Sequence, residues 1–110
     1  MTAERLESYA AGETIFRERE RGDVMYLVQS GQVELRLAGL RLEVVGDGEF
    51  FGEMALIDEG PRSARAIPLS DCHLQVIDQA RFELMVQQTP SFALRVMRTL
   101  ARRLRRMNEV

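Results

Sequence analysis

Short apolar segments separated by glycine-containing turns run through most of this chain, from Glu13 to Asp78. Segments of this length that are bounded by turn residues favour β-strands. The predicted strands are TIFRE (14–18), VMYLVQS (24–30), QVELRLA (32–38), RLEVVG (41–46), ARAIPL (64–69) and HLQVID (73–78). Regular short strands of this kind are typical of a sandwich or a barrel. The pattern therefore predicts a mainly β domain.

Helices are predicted on both sides of this β region. Residues 2–8 are expected to form a short helical lead-in. Near the C-terminus, Asp78 is a suitable N-cap for a helix over QARFELMVQQ. A second helix is expected to begin at Thr89, because Pro90 is favoured in the first helical position.

The chain has 110 residues, which is the usual size of one domain, and it can bury a core without disulfides or a structural metal. We expect a single domain over residues 1–110. Its barrel is expected at about 11–78 and its C-terminal helices at about 79–108.

Three features of the sequence predict a cytoplasmic protein. No apolar run approaches the roughly 20 residues that span a bilayer, so no membrane segment is expected. The N-terminus contains Glu4 and Glu7 and lacks the basic start and apolar stretch of a secretory signal. The single cysteine, Cys72, agrees with a reducing compartment.

Residues that could support catalysis are few. Cys72 is the only cysteine and His73 the only histidine, and neighbours in a strand point to opposite faces, so the pair is a poor start for a metal site. No pattern suggests a nucleophilic triad. A jelly roll can host a metal-dependent enzyme, but one histidine falls short of the two histidines and one carboxylate that bind non-haem iron. We therefore expect an inert thiol, no metal, no catalytic residues and no enzymatic activity.

The C-terminal segment is strongly basic. Residues 95–110 hold six arginines and one glutamate, a net charge of plus 5, which leaves minus 7 for the rest of a chain whose net charge is minus 2. A seam of apolar side chains recurs there at spacings of three, four and three, at Met97, Leu100, Leu104 and Met107. Such a narrow seam fits packing on the chain's own barrel and pairing with another chain equally well.

The segment FGEMALIDEGPRSARA, residues 51–66, combines glycines with a carboxylate and an arginine. Gly52 allows the backbone to approach a ligand closely. A short helix beginning near Glu53 would direct the free amides of Met54 and Ala55 toward its N-terminus, and such a terminus attracts anions. The first half of the segment therefore suits an anionic group.

The second half of the segment adds a cation. Arg62 follows Pro61, whose backbone angle is fixed, and can present a planar fork to two phosphate oxygens. The small side chains of Ser63 and Ala64 leave space beside it. Glu53 would repel a bare phosphate, so it suits a ligand that also offers a hydroxyl donor. A ribose phosphate meets both demands.

A purely structural interpretation of the same segment is also open. The glycines would shape turns, and Glu53 would cap the short helix. Arg62 would form an exposed ion pair with Asp58 or Glu59. Taken together, the order of glycine, glutamate and alanine, then proline, arginine and small residues, is harder to explain by turns alone, so a ligand site is favoured.

This segment is similar to the phosphate-binding cassette of the cyclic nucleotide-binding domain family, as in the effector domain of catabolite activator proteins. Gly22-Asp23 followed by VMYLVQSGQVEL resembles the family's first hairpin, and GDGEFFGEMAL resembles the approach to the cassette. The resemblance covers nearly the whole chain. It implies an eight-stranded jelly-roll barrel, or double-stranded β-helix, flanked by helices.

The resemblance also implies roles for individual residues. Arg62, Ser63 and the amides of residues 54 and 55 would bind the phosphate, and Glu53 would bind the ribose 2'-hydroxyl. The final helix would close over the base as a lid, with Asn108 near the adenine edge. The expected ligand-binding residues are Gly52, Glu53, Met54, Ala55, Arg62, Ser63, Ala64 and Asn108.

The implied function is a bacterial regulatory module that binds a cyclic nucleotide and needs no further cofactor. Cyclic AMP is the favoured ligand, although Ser63 is also compatible with cyclic GMP. The expected partners are an unknown downstream protein and a second copy through the last helix. No helix-turn-helix follows the lid, so we expect a stand-alone domain without specific DNA binding. The alternative is a ligand-free interaction or dimerisation scaffold of the same fold.

Overall fold

The structure of the chain, a computed structural model, describes residues 4–108, apart from the side chain of Met107. The chain divides into two compact units, one ending at Gln79 and the other beginning at Ala80. The first unit is built from strands and the second from helices.

The first unit contains seven strands in the described part of the chain. In order they are β1 (Arg5–Tyr9), β2 (Val24–Ser30), β3 (Val33–Leu37), β4 (Leu40–Val45), β5 (Phe50–Phe51), β6 (Arg65–Pro68) and β7 (Cys72–Asp78), with the short helix α1 (Met54–Ile57) between β5 and β6. One antiparallel sheet has the order β1-β7-β2-β5, and the other has the order β4-β3-β6. Strands that are distant in sequence therefore lie side by side.

This topology confirms the predicted mainly β jelly-roll fold with flanking helices. Within residues 4–108 the two sheets form a sandwich and do not close into one ring. The strands predicted from 24 onward are confirmed to within one residue at each end, while β5 is an addition to the predicted set. The sequence does not predict β5, because two consecutive phenylalanines show no alternation of apolar and polar residues.

Alternating side chains of the strands form an apolar core between the sheets. The buried cluster consists of Phe16, Val24, Tyr26, Val28, Val33, Val45, Phe51, Ala66, Cys72, Leu74 and Val76. Three of its rings, Phe16, Tyr26 and Phe51, form an aromatic cluster with centroids 5.1 to 6.1 Å apart. Ring contacts at these distances add to the stabilisation from burial. Because Phe51 ends β5, the aromatic cluster lies at the start of the segment 51–66.

The helix predicted at residues 2–8 is wrong in the part of it that the structure describes; its first two residues lie outside that part. Arg5–Tyr9 form β1, which pairs with β7 so that Arg5 faces Val76 and Tyr9 faces Cys72. Leucine, glutamate and alanine favour a helix locally. Pairing with β7 and the packing of the Tyr9 side chain against the core override this preference.

The strand predicted at residues 14–18 is also wrong. Only Phe16 pairs with another strand residue, through an isolated bridge to Ala66. The chain then turns, and Arg19 adopts a φ of +67°. This left-handed conformation cannot continue a strand. The segment is therefore a loop that carries the Phe16 ring into the core.

The two C-terminal helices are confirmed as α2 (Gln79–Gln88) and α3 (Pro90–Asn108). At their junction, the Phe92 amide donates a hydrogen bond of 2.8 Å to the carbonyl of Thr89. The rings of Phe82 and Phe92 then pack edge to face with centroids 5.7 Å apart. Neither helix, nor any other in the described part of the chain, combines the length and apolar character that a bilayer crossing demands.

The apolar seam of α3 is only partly buried. Met97 and Leu104 are 58% and 60% exposed, whereas Leu100 is half-buried. The side chain of Met107, the fourth residue of the seam, lies outside the described part. Two of the predicted seam residues thus present apolar surface to solvent.

Candidate functional site

A tight turn after β5 begins the candidate site. Gly52 has a φ of +75°, in the left-handed region that residues with a side chain rarely adopt. A Cβ atom at this position would also lie 2.8 Å from Nη1 of Arg62. Glycine is therefore required here by the turn and by the chain's own arginine.

Glu53 is the N-cap residue of α1, which confirms the predicted start of the short helix. The amides of Leu56 and Ile57 donate to its carbonyl at 3.0 and 3.1 Å. The Glu53 side chain, however, makes no capping hydrogen bond, and only 3% of the residue is exposed. The interpretation of this carboxylate as a helix cap is therefore wrong.

The first amides of α1 are incompletely satisfied by the chain. The Ala55 amide donates a long hydrogen bond of 3.4 Å to the carbonyl of Gly52. For the Met54 amide, residues 4–108 supply no acceptor. Unpaired amides at a helix start are normal and can receive an external acceptor.

Arg62 is the centre of the site. It is buried, with 6% of its surface exposed. Its Nη1 donates to the carbonyl of Gly52 at 2.9 Å, and its Nη2 donates to the carbonyl of Val24 at 2.8 Å. A guanidinium has five N–H groups, so three remain that no described residue accepts. The arginine therefore joins the end of β5 to the start of β2 and keeps donors for an anion.

An aromatic ring supports the same guanidinium. The Cζ atom of Arg62 lies 4.1 Å from the ring centroid of Phe16 and 5.8 Å from that of Tyr26. A cation over an aromatic face at such distances is attracted by the ring quadrupole. Phe16 and, farther away, Tyr26 thus form one wall of the candidate site.

The backbone of Arg62 is held by the loop that follows Phe16. The Arg62 amide donates to the carbonyl of Glu20, and the Arg19 amide donates to the carbonyl of Arg62, both at 2.8 Å. The sequence attributes the placement of Arg62 to Pro61, whereas these two hydrogen bonds fix it directly. The same loop brings Gly22 so close that a Cβ there would lie 2.3 Å from Nε of Arg62.

Burial lowers the pKa of Arg62, and the nearby Tyr26, Asp23, Glu20 and Glu53 oppose this shift. An arginine remains protonated at neutral pH despite such a shift. The site therefore contains a desolvated cation. The interpretation of Arg62 as a solvent-exposed ion pair with Asp58 or Glu59 is wrong, because its guanidinium is buried and donates to the carbonyls of Gly52 and Val24.

The structure brings most of the predicted site residues into one unit. Gly52 and Arg62 are in direct contact. Ser63 is exposed and Ala64 is buried beside it in sequence. Asn108 is the last residue of α3, in the second unit, and is exposed. The binding roles of all these residues stay predictions.

Phe16, Gly22 and Val24 complete the surroundings of Arg62 and were not predicted from the sequence as site residues. Phe16 is one apolar residue among many, and Val24 contributes only a carbonyl, which every residue has. The Gly22-Asp23 pair reads as an ordinary turn. The residue type of Gly22 was the one available signal, since a glycine can mark close packing; in the structure its φ is not left-handed, and the space of a Cβ is taken by Arg62.

Cys72 and His73 are neighbours on β7 and do not belong to the segment 51–66. As predicted, they face opposite sides of β7, with Cys72 buried and His73 exposed. Burial raises the pKa of the Cys72 thiol, which agrees with an inert side chain. In the part of the chain that the structure describes, no group of three or more histidine, cysteine or acidic residues is placed to hold a metal ion.

The fold and the site together define an antiparallel jelly-roll domain with a glycine turn and a buried arginine in one loop. Residues 6–89 match the family described as the cyclic nucleotide-binding domain, and the chain belongs to this family. The predicted family is thereby confirmed.

The chain is similar to the cyclic AMP receptor protein of Thermus thermophilus, with 39% identity over 102 residues, which are 88% of this chain and 47% of the relative. The solved structure of the Thermus thermophilus catabolite activator protein gives a TM-score of 0.83 at 36% identity, covering 96% of this chain and 52% of that one. A structure from a cyclic-GMP-dependent signalling pathway that regulates bacterial phytopathogenesis gives 0.79 at 33% identity, covering 93% and 85%. The chain thus spans about half the length of the curated relative named here.

Proposed function

We propose that this chain is a regulatory module that binds a cyclic nucleotide at the segment from Gly52 to Ala64. The observation that carries the proposal is the buried cation of Arg62, which keeps three N–H donors that no described residue accepts and belongs to the same short segment as the buried Glu53. A ligand that offers both a phosphate and a hydroxyl group suits this pair. Membership of the cyclic nucleotide-binding domain family supports the same conclusion.

Each group of the ligand has a proposed set of partners. The phosphate binds to the free N–H groups of Arg62, to the Ser63 hydroxyl and to the amides of Met54 and Ala55. The ribose 2'-hydroxyl donates to the Glu53 carboxylate. Gly52 and Ala64 leave room for the ligand because their side chains are absent or small.

Cyclic AMP is the proposed ligand. The similar Thermus thermophilus protein is named as a cyclic AMP receptor, whereas another similar structure comes from a cyclic-GMP-dependent pathway. Ser63 is compatible with either, since its hydroxyl can serve a phosphate or a guanine amino group.

Calorimetric titration of the purified chain with cyclic AMP and then cyclic GMP tests the proposal. Any co-purified nucleotide is removed first, and the salt concentration is held constant. Saturable binding of cyclic AMP, tighter than that of cyclic GMP, is the expected result. Absence of both heat and thermal stabilisation with either nucleotide would reject the proposed function.

The Glu53 assignment has its own test, in which a change in the protein is matched by a change in the ligand. Glu53→Gln replaces a charged acceptor with a neutral one and is expected to weaken cyclic AMP binding about tenfold, since hydrogen bonds to charged groups contribute roughly 1.5–3 kcal/mol. Binding of 2'-deoxy cyclic AMP, which lacks the hydroxyl, should be weak in both proteins and nearly unchanged by the substitution. An equal loss for both ligands would show that Glu53 does not recognise the hydroxyl.

The proposed output involves the helical unit. We assign residues 1–110 to one domain in which α3 closes over the base when ligand binds, with Asn108 at the adenine edge. Hydrogen exchange of the α3 amides, measured with and without cyclic AMP, is expected to slow on binding. Unchanged exchange along α3 would contradict the closure.

A ligand-free dimerisation scaffold is the second candidate. The exposed side chains of Met97 and Leu104 favour it, because they offer an apolar surface for a second copy or another protein. Sedimentation velocity with and without nucleotide separates the two functions. A constant dimer that binds neither nucleotide would support the scaffold, and nucleotide binding would reject it.

A further inference from the structure

The contact between Phe16 and Arg62 goes beyond what is needed to fill the core. Two other rings of the aromatic cluster are present, yet the guanidinium lies over Phe16, at 4.1 Å from its centroid. Tyr26 is farther away at 5.8 Å. Phe16 itself is 8% exposed and belongs to a loop rather than to a strand, so the loop places the ring against the arginine.

The ring and the carbonyl acceptors constrain the guanidinium in different ways. The hydrogen bonds to Gly52 and Val24 fix two directions within the plane of the group. They leave rotation of that plane less restricted. Contact with the Phe16 face restricts this tilt, and it also favours the charged group in a place where burial disfavours charge.

We propose that Phe16 is a positioning residue for ligand binding: its ring holds the guanidinium of Arg62 in the plane from which the remaining N–H groups meet a phosphate. The inference rests on the proposed function, because it concerns the same site. Phe16 does not contact the ligand in this arrangement and acts only through Arg62. A side chain that is already ordered loses less entropy when it binds, so the ring raises affinity by preorganisation.

The test compares two substitutions that remove the same atoms from the same aromatic cluster. Phe16→Leu removes the ring under Arg62, whereas Phe51→Leu removes a fully buried ring that is within 6 Å of Phe16 but is not stacked on the arginine. Phe16→Leu is expected to weaken cyclic AMP binding roughly three- to tenfold, because the Arg62 side chain would then lose its entropy on binding. Phe51→Leu should lower thermal stability to a similar extent and change affinity about twofold or less.

A double-substitution cycle separates positioning from general disruption. In an Arg62→Ala background, Phe16→Leu should cause no further loss of affinity, because the group that it positions is gone. In the single variants, Phe16→Tyr, which keeps an aromatic face, should bind nearly as the original chain does.

Three outcomes would overturn the inference. They are equal affinities of Phe16→Leu and Phe51→Leu, a further loss caused by Phe16→Leu in the Arg62→Ala background, and failure of Phe16→Tyr to retain binding when its thermal stability is unchanged. If the unsubstituted chain binds neither cyclic AMP nor cyclic GMP, the proposed function itself fails, and this result is distinct from the other three.

Discussion

Replacing Arg62 with alanine is expected to weaken cyclic AMP binding about thirtyfold to a thousandfold. The substitution removes a charge-assisted contact to the phosphate, which contributes roughly 2–4 kcal/mol to binding. Calorimetry on the two proteins at the same salt concentration measures the change. Unaltered affinity would mean that the phosphate is not bound by this side chain.

The same substitution should also lower the stability of the chain without ligand. The carbonyls of Gly52 and Val24 would lose the donors that they have at 2.9 and 2.8 Å, and a buried acceptor without a donor costs about 1–3 kcal/mol. Arg65→Ala is the matched control. Arg65 is exposed, lies three residues farther along the chain, and its guanidinium donates to a single acceptor among the described residues, the Thr14 hydroxyl at 2.9 Å. Chemical denaturation should therefore show a large effect for Arg62 and a small one for Arg65.

Substitution of Gly22 by alanine is expected to reduce affinity about tenfold to a hundredfold without any change at a ligand-contacting residue. The new Cβ would lie 2.3 Å from Nε, 2.4 Å from Cζ and 2.8 Å from Nη2 of Arg62, so the guanidinium has to move. Overpacking of this kind costs roughly 1–3 kcal/mol. Movement of Nη2 would also disturb its hydrogen bond to Val24.

Gly46→Ala is the control for the Gly22 substitution. Neither glycine has a left-handed φ, so alanine is compatible with the backbone at both positions. At Gly46, however, a Cβ would meet only the Glu49 carboxylate oxygen, at an ordinary distance of 3.6 Å. Calorimetric affinity should fall for Gly22→Ala alone. Equal affinities would show that Arg62 can leave its observed position and still bind the ligand.

The sequence predicts the parts of the fold that depend on local patterns. Apolar alternation between glycine turns identifies β2, β3, β4, β6 and β7, and the capping residues Asp78 and Pro90 identify the helices. The failures are segments whose conformation depends on distant partners. Residues 5–9 become a strand because β7 is there to pair with them, and residues 14–18 become a loop because only Phe16 finds a partner, in the distant Ala66.

The candidate site is also predicted only in part from the sequence. Gly52, Glu53 and Arg62 stand out in the sequence because their types and order have a chemical meaning within one short segment. Apart from the Gly52 carbonyl, the groups that hold Arg62 do not stand out, since they come from residues 16–24 and one of them is a backbone carbonyl 38 residues away. No local pattern can assign such a partner, because the pairing exists only in the folded chain.

The contacts of Arg62 tie three stretches of chain together, at Phe16–Val24, at Gly52 and at the arginine itself. A partly unfolded form in which any one of these stretches has opened would have no intact site. Nucleotide would then bind only the fully folded chain and raise its stability by about 2.7 kcal/mol at a concentration one hundred times the dissociation constant. The loop after Phe16 would then open about one hundred times more rarely. Hydrogen exchange of its amides and proteolysis of its peptide bonds, which require such openings, would slow accordingly.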